Sequence, residues 1–141
     1  MKTLDDIQTM SGRTVQDHLD MGADIPVLDG LVAQGDIIVI PESMWERNGL
    51  KASTKMVAQP VPAQGIVVLA GLHNHVLVAG DGAATWTTGT VDRESLALGV
   101  IGVATEAYLL HEEHGAVGLA AGRYVVRASR EQAAILRRVA D

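Results

Sequence analysis

Apolar residues in the first part of the chain recur at helical spacing: Leu4, Ile7 and Met10, then Val15 and Leu19. The stripe predicts one helix, or two short ones, over residues 3–21. Thr3 followed by Asp6 resembles a capping box with Asp in place of Glu, and Asp5 suits the positive helix end. Ser11-Gly12 breaks the stripe, with Ser11 capping a second segment that Gly22 ends. Asp24 to Leu31 reads as an extended connector. Beyond it the pattern changes to short aliphatic runs between Gly, Pro and Asp, which predicts strands.

The turn Gln34-Gly35-Asp36 launches a buried strand, Ile37 to Ile40, that Pro41 stops. Glu42 to Asn48 fits one helical turn, with Trp45 as a lid on the core. Lys51 to Lys55 is polar, and Gln59-Pro60-Val61-Pro62 is a rigid extended crossing. Ile66 to Leu69 is a second apolar strand, and His75 to Ala79 a third. That third strand runs into a hairpin-type turn at Gly80-Asp81-Gly82, with Ala84 to Thr88 as its return strand. Val91 to Ala97 is ambiguous and fits a short helix capped by Asp92. Gly99 to Ala104 and Glu106 to His114 read as strands meeting near Thr105, with turns at Gly115 and Gly118. A turn at 120–123 leads into the strand Tyr124 to Arg127. Ser129 caps a closing helix, Arg130 to Ala140, with Ile135, Leu136 and Val139 facing inward.

Roughly seven short strands between terminal helices predict a mainly β fold, a small β-barrel or sandwich with flanking N- and C-terminal helices. Two parts follow: an N-terminal helical arm and connector over 1–33, and a β domain with its closing C-terminal helix over 34–141. The narrow stripe of the arm leaves two partners open, its own domain or another chain.

Composition sharpens this picture. With no Phe, two Trp and two Tyr, the core must be built from Val, Leu, Ile, Ala and Met. Fifteen glycines fit tight turns between strands. The formal charge of −6 argues against a nucleic-acid partner. No apolar run approaches the roughly 18 residues of a membrane span. The acidic start after Lys2 lacks the apolar core of a signal peptide, so a cytoplasmic or virion location is expected. Absence of cysteine removes disulfides, thiolate zinc sites and cysteine nucleophiles.

The candidate chemistry is histidine. Four of the five lie in two windows, His73-Asn74-His75 and His111-Glu112-Glu113-His114. On a strand, side chains alternate, so His73 and His75 would project from one face. Neutral imidazoles suit zinc, nickel or ferrous iron. A site would take His73 and His75, then His111 or His114, with Glu113 or Asp81 as carboxylate. His111 and Glu113 share a strand face, whereas His114 joins them only if a bulge or turn re-aims it. The alternative is that the rings hydrogen-bond backbone and one another at a barrel mouth. His18, beside Asp17, reads as a solvated helical residue.

The Gln34-Gly35-Asp36 turn with its Pro41-stopped strand, His73-x-His75, His111-Glu112-Glu113-His114 and Gly122-x-Tyr124-x-Val126 together resemble an uncharacterised group of small bacterial and phage proteins. The resemblance covers roughly residues 34 to 128 and implies a shared fold without an activity. Leu72 stands where that group has Gly. His-x-His followed by a Gly-rich strand also resembles the cupin arrangement, which would imply a metal-dependent enzyme. The carboxylate that follows the pair in cupins is missing here until Asp81.

Other catalytic signatures are absent. The contiguous His-Asn-His differs from dispersed nuclease motifs, and His111 and His114 are three apart, unlike H-E-x-x-H. No nucleophile elbow, phosphate loop or dinucleotide fingerprint occurs. The expected function is a non-catalytic structural or assembly protein, forming homo-oligomers or docking on a larger protein lattice, with a phage virion as one setting. The alternative is a cupin-like metal-binding module or metal-dependent enzyme built on the histidines.

Overall fold

The computed structural model describes residues 2–16, 18–45, 51–91 and 96–129. In chain order these form α1 (Leu4–Ser11), β1 (Val27–Leu28), β2 (Val32–Gln34), β3 (Ile37–Pro41), α2 (Glu42–Trp45), β4 (Lys51–Pro60), β5 (Ile66–Leu69), β6 (His75–Ala79), β7 (Ala84–Val91), β8 (Ala97–His111) and β9 (Gly115–Ala128). The fold is mainly β, as the short aliphatic runs predict.

Thr3 caps α1 as expected. Its hydroxyl accepts the Asp6 N–H at 3.2 Å, and the Asp6 carboxylate accepts the Thr3 N–H at 2.8 Å. That backbone hydrogen bond holds the Asp6 carboxyl below its ordinary pKa. Gly12, at φ 69°, ends the helix in the left-handed region. The second helical segment does not form. Ser11 Oγ turns back onto the Ile7 carbonyl and also accepts the Arg13 N–H. Gln8 Oε1 takes the Val15 N–H, and the Gln16 N–H goes to Glu112 O. Donors that a helix would need are thus bound by side chains and by a distant turn.

Nine strands among the described residues form one sheet, antiparallel except where β1 runs parallel to β9. The long hairpin of β8 and β9 is its spine. One half of the spine pairs β6 and then β5 on one side, and β1 on the other. The other half pairs β7 and then β4 on one side, and β3 and then β2 on the other. Between the halves the β8–β9 register shifts, from Val103↔Gly122 to Glu106↔Ala120. A bulge of this kind bends a strand pair. The expected joint near Thr105 is this bulge within one continuous strand. Likewise, the turn expected at 120–123 lies inside the continuous strand β9.

The inner faces of the two halves pack on each other through Leu77, Leu109 and Leu119 from one and Val39, Trp86, Ile101, Tyr124 and Val126 from the other. The result is sandwich-like. The barrel alternative falls, because β2 and β5 end the ladder without pairing each other. The hairpin expected around Gly80-Asp81-Gly82 is also absent. β6 and β7 lie end to end along the same edge of β8, from His75↔His111 through Ala79↔Ala107 to Ala84↔Val103 and Thr87↔Val100. Residues 80–83 are therefore an excursion in an interrupted strand.

On the outer face of the β6–β8 half, Leu4, Ile7, Val15 and Ile25 pack against Val76, Val78, Tyr108 and Leu110. Ile7 and Val78 are fully buried there. Of the two partners open to the N-terminal segment, the one it meets is its own sheet. Lys51 to Lys55, read as polar, belongs to β4, which pairs with β7. The helical turn after Pro41 is present as Glu42–Trp45. The Trp45 side chain, most of the Val91–Ala97 segment and the closing helix over 130–140 lie outside the described residues. Among those residues, no helix is long and apolar enough to cross a membrane.

Candidate functional site

One end of the sandwich is closed by side chains from three connections: the β2–β3 turn, the loop 70–74 and the β8–β9 turn. His75 and His111 are direct cross-strand partners at the ends of β6 and β8. Both are buried on the inner face, just beyond Leu77 and Leu109. Their ring centroids are 4.5 Å apart. His114, carried back by the turn after β8, stacks on His111 at 4.5 Å and 30°. His73 meets His111 edge-on at 5.8 Å. His111 is thus the central ring of the group.

His73 does not share a strand face with His75, contrary to the alternation argument. Asn74 Oδ1 captures the Gly71 N–H at 3.2 Å and folds residues 70–74 into a loop before β6 begins. His73 reaches the cluster from that loop. His114 arrives by a turn that re-aims it, the condition its position imposed. Glu113 sits in the same turn, at the rim of a cleft of about 480 Å³ that Asp36 and the four rings also line. Asp81, in the 80–83 excursion at the far end of β6, does not line this cleft.

The hydrogen bonds assign the tautomers. Gln34, buried on β2, gives its amide N–H groups to Leu109 O at 3.0 Å and Gly115 O at 3.3 Å. Its Oε1 is thereby oriented to accept from His75 Nδ1 at 2.9 Å, so His75 carries its proton on Nδ1. His111 is the reverse. Its Nδ1 accepts the N–H groups of Glu113 and His114, each at 3.1 Å, so the neutral ring holds its proton on Nε2. His73 Nδ1 donates to Glu112 Oε2 at 3.0 Å, while its Nε2 receives the Gln16 amide at 3.4 Å.

Burial pushes the His75 pKa down to about 4, helped by the neighbouring His111 and His114 and opposed by Asp36. Burial also lowers that of His111, with His114 and His73 adding to it and Glu113 and Asp36 opposing. Both rings are therefore neutral at neutral pH. Gly35 at φ 54° completes the packing. A Cβ there would stand 3.0 Å from the His114 ring and 3.4 Å from His75 Cε1.

In this arrangement the rings are engaged with protein groups. The central ring, His111, uses Nδ1 as an acceptor for two amides, which leaves its proton on Nε2. Among the described residues, no three His, Asp or Glu side chains are placed to hold a metal ion. The rings are instead bonded to backbone and side-chain amides and packed on one another.

Sequence reasoning misses two members of this site. His18 lies outside any helix, and its Nε2 comes within 3.3 Å of Glu113 O. In the sequence Gln34 is only the first residue of a turn. Its side chain is buried just ahead of the fully buried Ile37, and its amide orients His75. No local pattern signals that role, because every partner of the amide is distant in sequence.

The bent sheet and its histidine-closed end define a small sandwich-like β domain with a polar ring cluster at one mouth. Residues 33–129 match the family model described as a domain of unknown function, DUF8820, and the chain belongs to that family. The match has nearly the extent of the motif resemblance, residues 34 to 128. No curated protein matches the chain, and no solved structure does.

Proposed function

We propose that the chain is a non-catalytic structural module that assembles with copies of itself or docks on a larger protein lattice, a virion shell being one setting. The observation that carries this reading is the exposed β5 edge. β5 ends the ladder with no further strand beyond it among the described residues. It exposes Val67, and the loop that follows presents Leu72 at 95% exposure. An unpaired edge bordered by exposed aliphatic side chains is a template for a further strand.

The cleft supports the same reading, because its rings are engaged with their own turn and offer no nucleophile paired to a base. Assembly here runs through a sheet edge and not through the N-terminal segment, whose main apolar residues are buried on their own sheet.

Sedimentation velocity over a range of concentrations tests it, with Val67→Lys and Leu72→Glu as comparisons. Wild-type protein associates, and either variant weakens association by about tenfold or more, the effect of losing roughly 1.4 kcal/mol at an interface. A strict monomer that binds no assembly overturns the reading.

A further inference from the structure

All five histidines stand around one three-residue turn, Glu112 to His114, or touch a ring that does. Glu112 O accepts the Gln16 N–H at 2.9 Å. The Glu112 carboxylate holds His73 Nδ1, His18 Nε2 lies beside Glu113 O, and His111 Nδ1 accepts the Glu113 and His114 amides. His114 stacks on His111, and His75 leans on it from the next strand.

The His111 contact cannot survive a proton. Its Nδ1 has a single in-plane lone pair, shared by two amides. A proton on that atom sets three N–H groups against each other and leaves both amides without an acceptor.

We propose that the Glu112–His114 turn is an acid-labile latch, in which protonation of His111 at Nδ1 releases the Glu113 and His114 amides and opens the turn away from the 70–74 loop. The inference goes beyond the assembly reading and does not depend on it.

The charged and titratable groups facing His111 come from every neighbouring element. β6 supplies His75, the 70–74 loop supplies His73, the turn itself supplies Glu112, Glu113 and His114, and the β2–β3 turn supplies Asp36. His18 touches the turn from the irregular segment before β1. Glu113 and Asp36 favour the imidazolium, whereas burial and the adjoining rings His114 and His73 disfavour it; the second group prevails, and His111 is held neutral. A closed turn therefore resists the proton, and an open one accepts it. This difference in proton affinity makes acid a ligand for the open state.

The test is amide exchange at Glu113 and His114 in 15N-labelled protein, followed from about pH 7.5 to about 4.5 beside the ring nitrogen shifts of His111. Protection at the two amides falls by up to about tenfold per pH unit once one proton is linked to opening, with the same midpoint as the His111 ring. Protection of Val76 and Leu110, in the adjoining ladder, stays high. His111→Asn retains a side-chain oxygen that can accept from the same turn and does not titrate, so its turn amides stay protected throughout.

Protection that persists in wild-type protein overturns the latch, whether the ring charges or remains neutral. So does an equal loss of protection in His111→Asn. If that variant does not fold, the wild-type midpoints decide: coincidence of ring and amides supports the latch, and separation overturns it.

Discussion

His75 and His111, paired across β6 and β8, are held in opposite tautomers. Nδ1 of His75 donates to Gln34, and Nδ1 of His111 accepts from its own turn. The consequences of this pairing, and of the packing around it, can be measured.

Stability should fall with acid. Burial depresses the folded-state pKa of both rings. Each binds its proton more readily in the unfolded chain, at about 6.5, than in the folded one. Their contribution is full above that value and declines as pH drops toward about 4, the folded value for His75. Urea midpoints taken across this window should decrease steadily, and a flat profile would contradict the burial of the rings.

Gln34→Ala should be costly. It leaves the His75 Nδ1–H and the carbonyls of Leu109 and Gly115 without their partner in a buried setting. A loss of about 2–4 kcal/mol is expected, as one to two unsatisfied groups would give. Chemical denaturation measures it, and a change under about 0.5 kcal/mol would mean that water replaces the amide freely.

Ile7→Ala tests whether α1 is part of the domain. Ile7 is fully buried among Val76, Val78 and Tyr108. Removing its side chain should cost about 2–4 kcal/mol by lost transfer energy and cavity. A negligible loss of stability would show that the helix contributes little to folding.

Zinc or nickel should leave the melting temperature unchanged in untagged protein. His111 Nδ1 is engaged by two amides and its proton sits on Nε2, so an ion on either nitrogen would first have to displace that proton or break those hydrogen bonds. A rise in Tm with added metal, abolished by His73→Ala/His75→Ala, would show that the rings rearrange to bind it.

The sequence by itself determined what depends on near neighbours. Thr3 and Asp6 cap α1, Gly12 ends it, Gly35 makes the turn before Ile37, and the aliphatic runs at 37–40, 66–69 and 75–79 become strands. Each follows from local geometry and from short apolar runs bounded by turn residues. The two histidine windows were legible because they are compact in sequence.

Tertiary structure decided the rest. The stretch from Ser11 to Gly22 has a helical stripe, yet its backbone donors are taken by Gln8, by Ser11 and by Glu112 O, far onward in the chain. β6 and β7 look like a hairpin because Gly-Asp-Gly favours a turn, but β8 is long enough to pair both along one edge. His73, His18 and Gln34 acquire their roles only when the bent β8–β9 spine brings three connections to one end. Periodicity specifies which residues are buried; which buried groups meet is fixed by strand pairing over long sequence separations.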